Sequence, residues 1–487
     1  MKQFFCAIWN HIEYFFILVL FAGVFYLSFN SGSFVRSESP IDNPNYYANK
    51  IFDRSYVHRI DISIAEKDYE DLLANPTRKT RYNTIVTVDG EKFENTSFST
   101  RGNASLFAIA DDKNSDRYSY KINFQKYNDN QYHGLDKLLL NNLFADASYM
   151  KDHIAFEIMR ASGVASPLTS YTEVYINGKL QGLYLAVEDI DESFLKRNNF
   201  PQGTSLYKPE ALGIDHSKLE QLRESLPEGE KLNVETNPAS PNFRFEGSDL
   251  VYIDDNPISY PAIFDNAINK TSAIDREYLI QSIESLSDIS LSDPADFWDV
   301  DALSKYFAAN TFLSNFDTYT GTPAHNYYIA AAKGKNTLLP WDYNLGFYDV
   351  WIDAKTESGI EYNKEGINWP IDNPLADNNI KTRPAWKLIH NNSNYLEKYH
   401  TSIQNLLDNY FINGECTKEI NEVSELIRPY VNADPTRFFT ADEFEDGVKV
   451  LRAHTLLRAD SVQKQLWGLI PSARKGTIDI TNEPIDQ

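Results

Sequence analysis

Three side chains able to offer oxygen ligands, Asp317, Asn326 and Asp342, stand among aromatic residues within residues 315–347. They sit in Asn315-Phe316-Asp317-Thr318-Tyr319, His325-Asn326-Tyr327-Tyr328 and Pro340-Trp341-Asp342-Tyr343-Asn344. Carboxylate and amide oxygens suit a hard divalent cation such as Mg²⁺, which keeps several waters and takes few protein ligands beside substrate phosphates. A polar turn, Lys333-Gly334-Lys335-Asn336, separates two extended runs and lets them fold back on each other, gathering these polar groups. The competing reading is structural, because an acidic residue among aromatics commonly caps a helix, closes a turn or forms half an ion pair.

A site of that kind needs cations, and two places supply them. Arg101-Gly102-Asn103-Ala104-Ser105 reads as a turn with a cationic side chain and open backbone N–H groups, the makings of a phosphate cradle. Lys121 falls on one face of the alternating run Tyr118-Ser119-Tyr120-Lys121-Ile122-Asn123-Phe124. Each has a plain alternative, an ordinary turn and a solvent-facing lysine.

The elements that must hold these residues are strands first and helices after. Alternation predicts strands over residues 57–64 and 84–88, the second entering a hairpin at Gly90, with a short helix over 65–74 between them. Leu138-Leu139-Leu140 reads as a buried strand, followed by a helix from an Asp146 N-cap to a stop at Gly163. Two alternating runs joined by Asn177-Gly178 form the clearest hairpin. Leu206-Tyr207-Lys208 follows another glycine turn, and the polar stretch 213–257 reads as an insertion. Helical periodicity then covers residues 274–289, 299–313, 386–409, 417–428 and 444–466, ahead of a tail over 471–487. The layout is α+β, with a strand-rich N-lobe, a helical C-lobe and a hinge between.

With 487 residues, 42% hydrophobic and 14% aromatic, the chain can bury a large core. Its net charge of −23 argues against a nucleic-acid partner and against charge-driven binding to an anionic membrane. An uncharged apolar run over residues 14–29 makes 1–33 a transmembrane anchor or a cleaved signal peptide, with a linker over 34–56, so the protein is expected to be membrane-anchored or exported to the cell envelope. Lys2 and Arg36 on either side leave the orientation open. The two cysteines, Cys6 and Cys416, form no disulfide framework, and no Walker loop, nucleophile elbow or zinc-like histidine spacing occurs.

The ordered set Arg101-Gly102-Asn103-Ala104-Ser105, Lys121 in its strand, the 141–163 block, Val174-Tyr175-Ile176-Asn177-Gly178 with Gly182-Leu183-Tyr184, Leu206-Tyr207-Lys208, His325-Asn326-Tyr327-Tyr328 and Pro340-Trp341-Asp342-Tyr343-Asn344 resembles the CotH family, the spore coat protein H kinases. The resemblance runs over most of residues 57–470. It implies a bilobal, atypical protein-kinase-like fold that uses ATP with Mg²⁺ or Mn²⁺ to phosphorylate Ser or Thr on a protein substrate.

By position, the resemblance makes Asp342 the metal-binding aspartate that serves as in a kinase Asp-Phe-Gly motif, Asp317 the catalytic-loop aspartate and Asn326 its metal-binding amide. Lys121 would contact phosphates, with Arg101, Asn103 and Ser105 covering them, and Lys208 and Glu188 lining the nucleotide pocket. Asp152 or Glu157 would pair with a lysine. The chain departs from ordinary kinases in having no G-x-G-x-x-G, His-Arg-Asp or Asp-Phe-Gly, and in carrying Asn344 where an aspartate would add a metal ligand. The acidic surface suits substrates with basic Ser/Thr segments. The alternatives are a catalytically silent envelope protein using the same fold for adhesion or assembly, and a two-carboxylate hydrolase.

Overall fold

The computed structural model describes residues 46–227, 231–287, 292–348, 364–376 and 380–473. The chain divides after Lys50. Of the first unit the described part is a single 3-10 turn at Tyr47–Asn49. The second unit, from Ile51 onward, holds all the sheets and helices that follow.

Seven strands close into a barrel in the order β1-β2-β3-β4-β5-β7-β6. They are β1 (His58–Ser63), β2 (Tyr82–Val88), β3 (Glu91–Arg101), β4 (Ser119–Asn123), β5 (Lys137–Asn141), β6 (Thr169–Ile176) and β7 (Lys179–Glu188). Alternation decides the faces: in β1, His58, Ile60 and Ile62 point inward while Arg59 and Ser63 face solvent. Every neighbouring pair is antiparallel except the closing one, where His58–Ile62 of β1 runs parallel to Thr172–Ile176 of β6. Asn177 and Gly178 both adopt left-handed φ, 48° and 79°, as the two-residue β6–β7 turn requires.

A second, three-stranded sheet runs β10-β9-β8, with β8 at Ser205–Tyr207, β9 at Tyr327–Ala331 and β10 at Thr337–Pro340. The expected fold-back around Gly334 is therefore present, with Tyr328 opposite Leu339 and Tyr327 opposite Pro340.

Helices surround these sheets. They include α1 (Glu66–Ala74), α2 (Ala104–Asp111), α3 (Lys151–Ala161), α4 (Glu192–Arg197), α5 (His216–Ser225), α6 (Ala273–Ser287) and α7 (Val300–Leu313). After them come α8 (Pro384–Asn391), α9 (Ser393–Leu406), α10 (Glu415–Ala433) and α11 (Ala441–Leu466). Helix α7 is buried on nearly every side, which explains its Ala- and aromatic-rich sequence, and Asp299 caps it by accepting the Ala302 N–H at 3.0 Å. The polar stretch 213–257 contains α5, capped by Asp215.

Two local expectations shift, and one helix goes unannounced. The helix expected from Asp146 begins at Lys151, because Tyr149 turns left-handed (φ 61°). Asp146 still serves it by accepting the Lys151 N–H at 2.8 Å while closing a turn on Ser148. The single helix expected over 386–409 is two, since Asn392 leaves helical geometry and caps the second by accepting from Asn394 and Tyr395. Helix α2, directly after the Arg101-Gly102-Asn103 turn, has no polar–apolar alternation to announce it. The apolar run at 14–29 lies outside the described residues, and among the described residues no helix is long and apolar enough to cross a membrane.

The barrel is tied to the helices at one buried ion pair. Arg117 Nη1 meets Asp434 Oδ2 at 2.5 Å with both side chains 1% exposed, and the same oxygen accepts the Leu183 N–H at 2.9 Å. Asp434 is the C-cap of α10, and Gly182 (φ 117°) lets β7 approach it so closely that an added Cβ would collide with both the carboxylate and the guanidinium. Gly182→Ala is expected to lower unfolding stability by about 3 kcal/mol or more, since it strains the backbone and breaks a buried ion pair together. Urea denaturation checks this, and an unchanged midpoint would contradict it.

Candidate active site

Beyond the last β9–β10 pair both strands turn sharply, and Ala324, Asn326 and Asp342 all take left-handed φ, 49°, 50° and 55°. Side chains other than glycine hold such geometry where the surroundings impose it, and such positions concentrate at functional sites. At Asp342 the imposing group is Asp152, in the first turn of α3. Its Oδ1 accepts the Tyr343 N–H at 2.7 Å and its Oδ2 accepts Asn141 Nδ2 at 2.9 Å. Asn141, the last residue of β5, in turn accepts from Arg101, the last residue of β3. The Arg101 guanidinium also lies 5.7 Å from the centre of the Trp341 ring. One chain of contacts thus joins two barrel strands, α3 and the segment carrying Asp342.

Burial pushes the Asp342 carboxyl above its ordinary range, with Asp317 adding to the shift and Arg101, Lys208 and His325 opposing it. Asp152 is raised to about 7, by burial first and then by the Asp342 charge. Asp342 thus disfavours charge on Asp152, as Asp317 does on Asp342, and a cation beside Asp342 would relieve both repulsions.

Asp317 is held by two donors, His325 Nε2 at 2.5 Å and Asn326 Nδ2 at 2.9 Å. Burial works against a charged His325, yet Asp317 and Glu210 outweigh it and raise its pKa. Because the Asn326 amide nitrogen donates to Asp317, its carbonyl oxygen is the atom left to accept. Asp342, Asp317 and Asn326 thus present an all-oxygen donor set. The loop bearing Asp317 is fixed from behind by Arg383, whose guanidinium donates to the backbone carbonyls of Tyr319, Gly321 and Thr322. Asn310 of α7 braces it too, donating to Thr320 Oγ1 at 2.7 Å and accepting from Tyr343 Oη at 2.8 Å.

The cations stand as follows. Lys121 pairs with Asp189 at 2.6 Å, just past the end of β7. Burial alone would raise Asp189, but Lys121 and Lys137 outweigh it and keep its pKa low. Lys208 lies 3.4 Å from Glu210, whose other oxygen accepts Asn103 Nδ2 at 2.8 Å. Arg101 acts electrostatically on Asp342, Asp152 and Asp189, so these groups share one field. Ser105 opens α2, its hydroxyl close against Gly102.

Two expectations meet a different geometry. Glu188 is fully buried, its carboxylate taken up by Arg197 at 2.6 Å and by the Leu168 N–H at 3.0 Å, so it presents no surface to a ligand. Among the described residues neither Asp152 nor Glu157 pairs with a lysine: Asp152 serves Asn141 and Tyr343, and Glu157 joins Arg160 and Arg54. Glu157 also belongs to a trio with His153 and Glu419 whose ligand-type atoms lie within 4.8 Å of one another. Arg54 already bridges both glutamates at 2.7 Å, so the cluster is an ion-pair network with its charge met from within. Asp189, Glu210, His325, Asn310 and Arg383 escaped the sequence reading. His325 alone carried a visible signal, standing beside Asn326.

The described fold mixes barrel and helices, with acidic and cationic groups gathered where the second sheet ends. The CotH family model, described as CotH kinase protein, matches residues 98–462, and the chain belongs to the CotH family. It is similar to the inner spore coat protein H of Bacillus subtilis strain 168, with 22% identity over 350 residues, covering 72% of this chain and 83% of the relative.

Asn141→Ala removes at once a donor to buried Asp152 and an acceptor for Arg101. The expected outcome is a loss of about 1–3 kcal/mol in stability, read by chemical denaturation. A change confined within a few tenths would show that the chain of contacts is not what holds the Asp342 segment.

Proposed function

We propose that this protein is an ATP-dependent protein kinase acting on Ser or Thr side chains, with Mg²⁺ or Mn²⁺. The observation that carries the reading is the assembly of Asp317, His325, Asn326 and Asp342 beside Arg101, Lys121 and Lys208. Family membership supports it as well.

The residues present fit a metal-bound nucleotide. Asp342 and the carbonyl of Asn326 would hold the metal, and their all-oxygen chemistry suits Mg²⁺ or Mn²⁺. When bound, the metal–ATP pair supplies the transferable phosphoryl group and neutralises charge on it. Lys121, fixed by Asp189, and Lys208, fixed by Glu210, would bind phosphate oxygens, with Arg101 and the turn through Asn103 and Ser105 covering them. Asp317 orients the incoming hydroxyl and accepts its proton. Its two donors, His325 and Asn326, occupy part of its acceptor capacity and leave the rest for the substrate. A net charge of −23 favours substrate segments rich in Lys or Arg. A coat or envelope association follows from the likeness to a spore coat protein.

Incubation with radiolabelled ATP, divalent metal and a basic Ser-rich protein tests the reading. Wild type is expected to transfer label, a chelator to abolish transfer, and Asp342→Ala or Asp317→Ala to lower it by about a hundredfold or more. If wild type neither binds ATP nor transfers phosphate with any divalent metal, the kinase reading falls, and adhesion or assembly takes its place.

A further inference from the structure

Lys79 stands just after the 3-10 turn Pro76–Arg78, in left-handed geometry (φ 52°) and ahead of the stretch that the family model matches. Its side chain reaches across to the turn at the end of β3. Nζ donates to Asn103 Oδ1 at 3.1 Å and to Ser217 Oγ of α5 at 2.5 Å, and that hydroxyl donates to the same Asn103 oxygen at 3.0 Å. Thr100 braces the approach by donating to the Pro76 carbonyl at 2.6 Å. Asn103 continues to Glu210, and Glu210 to Lys208.

Both hydrogen-bond partners of this largely buried ammonium are neutral. The charges facing it are Asp215, from the cap of α5, and Glu210, which favour its charged form, against Lys208 and Arg101, which disfavour it. Three cations from β3, from the end of β8 and from the Pro76 turn therefore converge on one glycine-containing turn. Such a gathering is unfavourable in itself and favourable around an anion. Burial is what brings the ammonium down to about 8, with Asp215 and Glu210 opposing the shift and Lys208 and Arg101 adding less to it.

We propose that Lys79 is a further phosphate-binding residue of this site, contacting the polyphosphate of a nucleoside triphosphate and held in place by Ser217 of the insertion helix α5. This rests on the kinase reading for the nucleotide, but its phosphate chemistry can be tested separately. The insertion then gains a function, because it supplies the hydroxyl that aims a cation delivered from outside the family-matched stretch.

The test is calorimetric titration of the full chain with Mg²⁺–ATP and, separately, with inorganic tripolyphosphate, for wild type, Lys79→Met, Lys79→Arg and Ser217→Ala. Lys79→Met is expected to weaken both ligands about tenfold or more, and Ser217→Ala severalfold. Wild-type affinity should fall between about pH 7 and pH 9 as the ammonium loses its proton, whereas Lys79→Arg should bind at the lower pH and lose that decline, because a guanidinium stays charged. If Lys79→Met fails to fold by thermal melting, the Lys79→Arg pH profile decides, and persistence of the decline would overturn the proposal. Wild-type affinity retained in a folded Lys79→Met overturns it while leaving the kinase reading intact. Lys79-dependent tripolyphosphate binding without phosphate transfer from ATP sinks the kinase reading and keeps this site. A wild type that binds neither ligand overturns both.

Discussion

The buried carboxylate of Asp152 is the constraint on which the rest of the site depends. Burying a lone carboxylate is strongly unfavourable unless donors meet it, and this one is met from two directions by Asn141 and by the Tyr343 backbone. Those donors belong to a barrel strand and to the segment after β10. The desolvated carboxyl group, its pKa raised to about 7, therefore acts as a latch that needs strand, helix and segment all in place. That over-determination is what keeps Asp342 in left-handed backbone geometry.

A similar logic governs the Asp317 loop. Its carbonyls at Tyr319, Gly321 and Thr322 are met by one guanidinium, Arg383, which is 1% exposed. Gly321 is obligatory there, since a Cβ would run into the Phe316 carbonyl. Arg458 plays the equivalent part for the end of α7, donating to the carbonyls of Thr311, Phe312, Ile367 and Trp369. Buried arginines serving backbone carbonyls replace regular structure wherever the chain leaves it near the site.

The parts legible in the sequence were those written in local chemistry. The Asn177-Gly178 hairpin, the β9–β10 fold-back and the helix α7 follow from residues within a few positions of one another. The gathering of Asp317, Asn326 and Asp342 was legible for the same reason, because a single hairpin joins two of them. Partners were illegible. Glu188 and Asp189 are adjacent acids at the end of one strand, and successive side chains of a strand point to opposite faces. One enters the interior to meet Arg197 and the other meets Lys121, a choice set by register against β5 and not by composition. Arg383 and Asp434 act on residues far away in the chain, where spacing carries no information.

The parallel pairing of β1 with β6 also bears on where this module begins. The family match opens at residue 98, inside β3, yet β1, β2 and the first half of β3 are what close the sheet. Cut there, β6 would be left with its Thr172–Ile176 backbone groups unsatisfied and what remains of β3 without its β2 neighbour. Two raw edges on one open sheet invite self-association with other copies. The smallest piece of this chain that keeps the barrel closed therefore starts at or before residue 58, some way upstream of the boundary that family likeness draws.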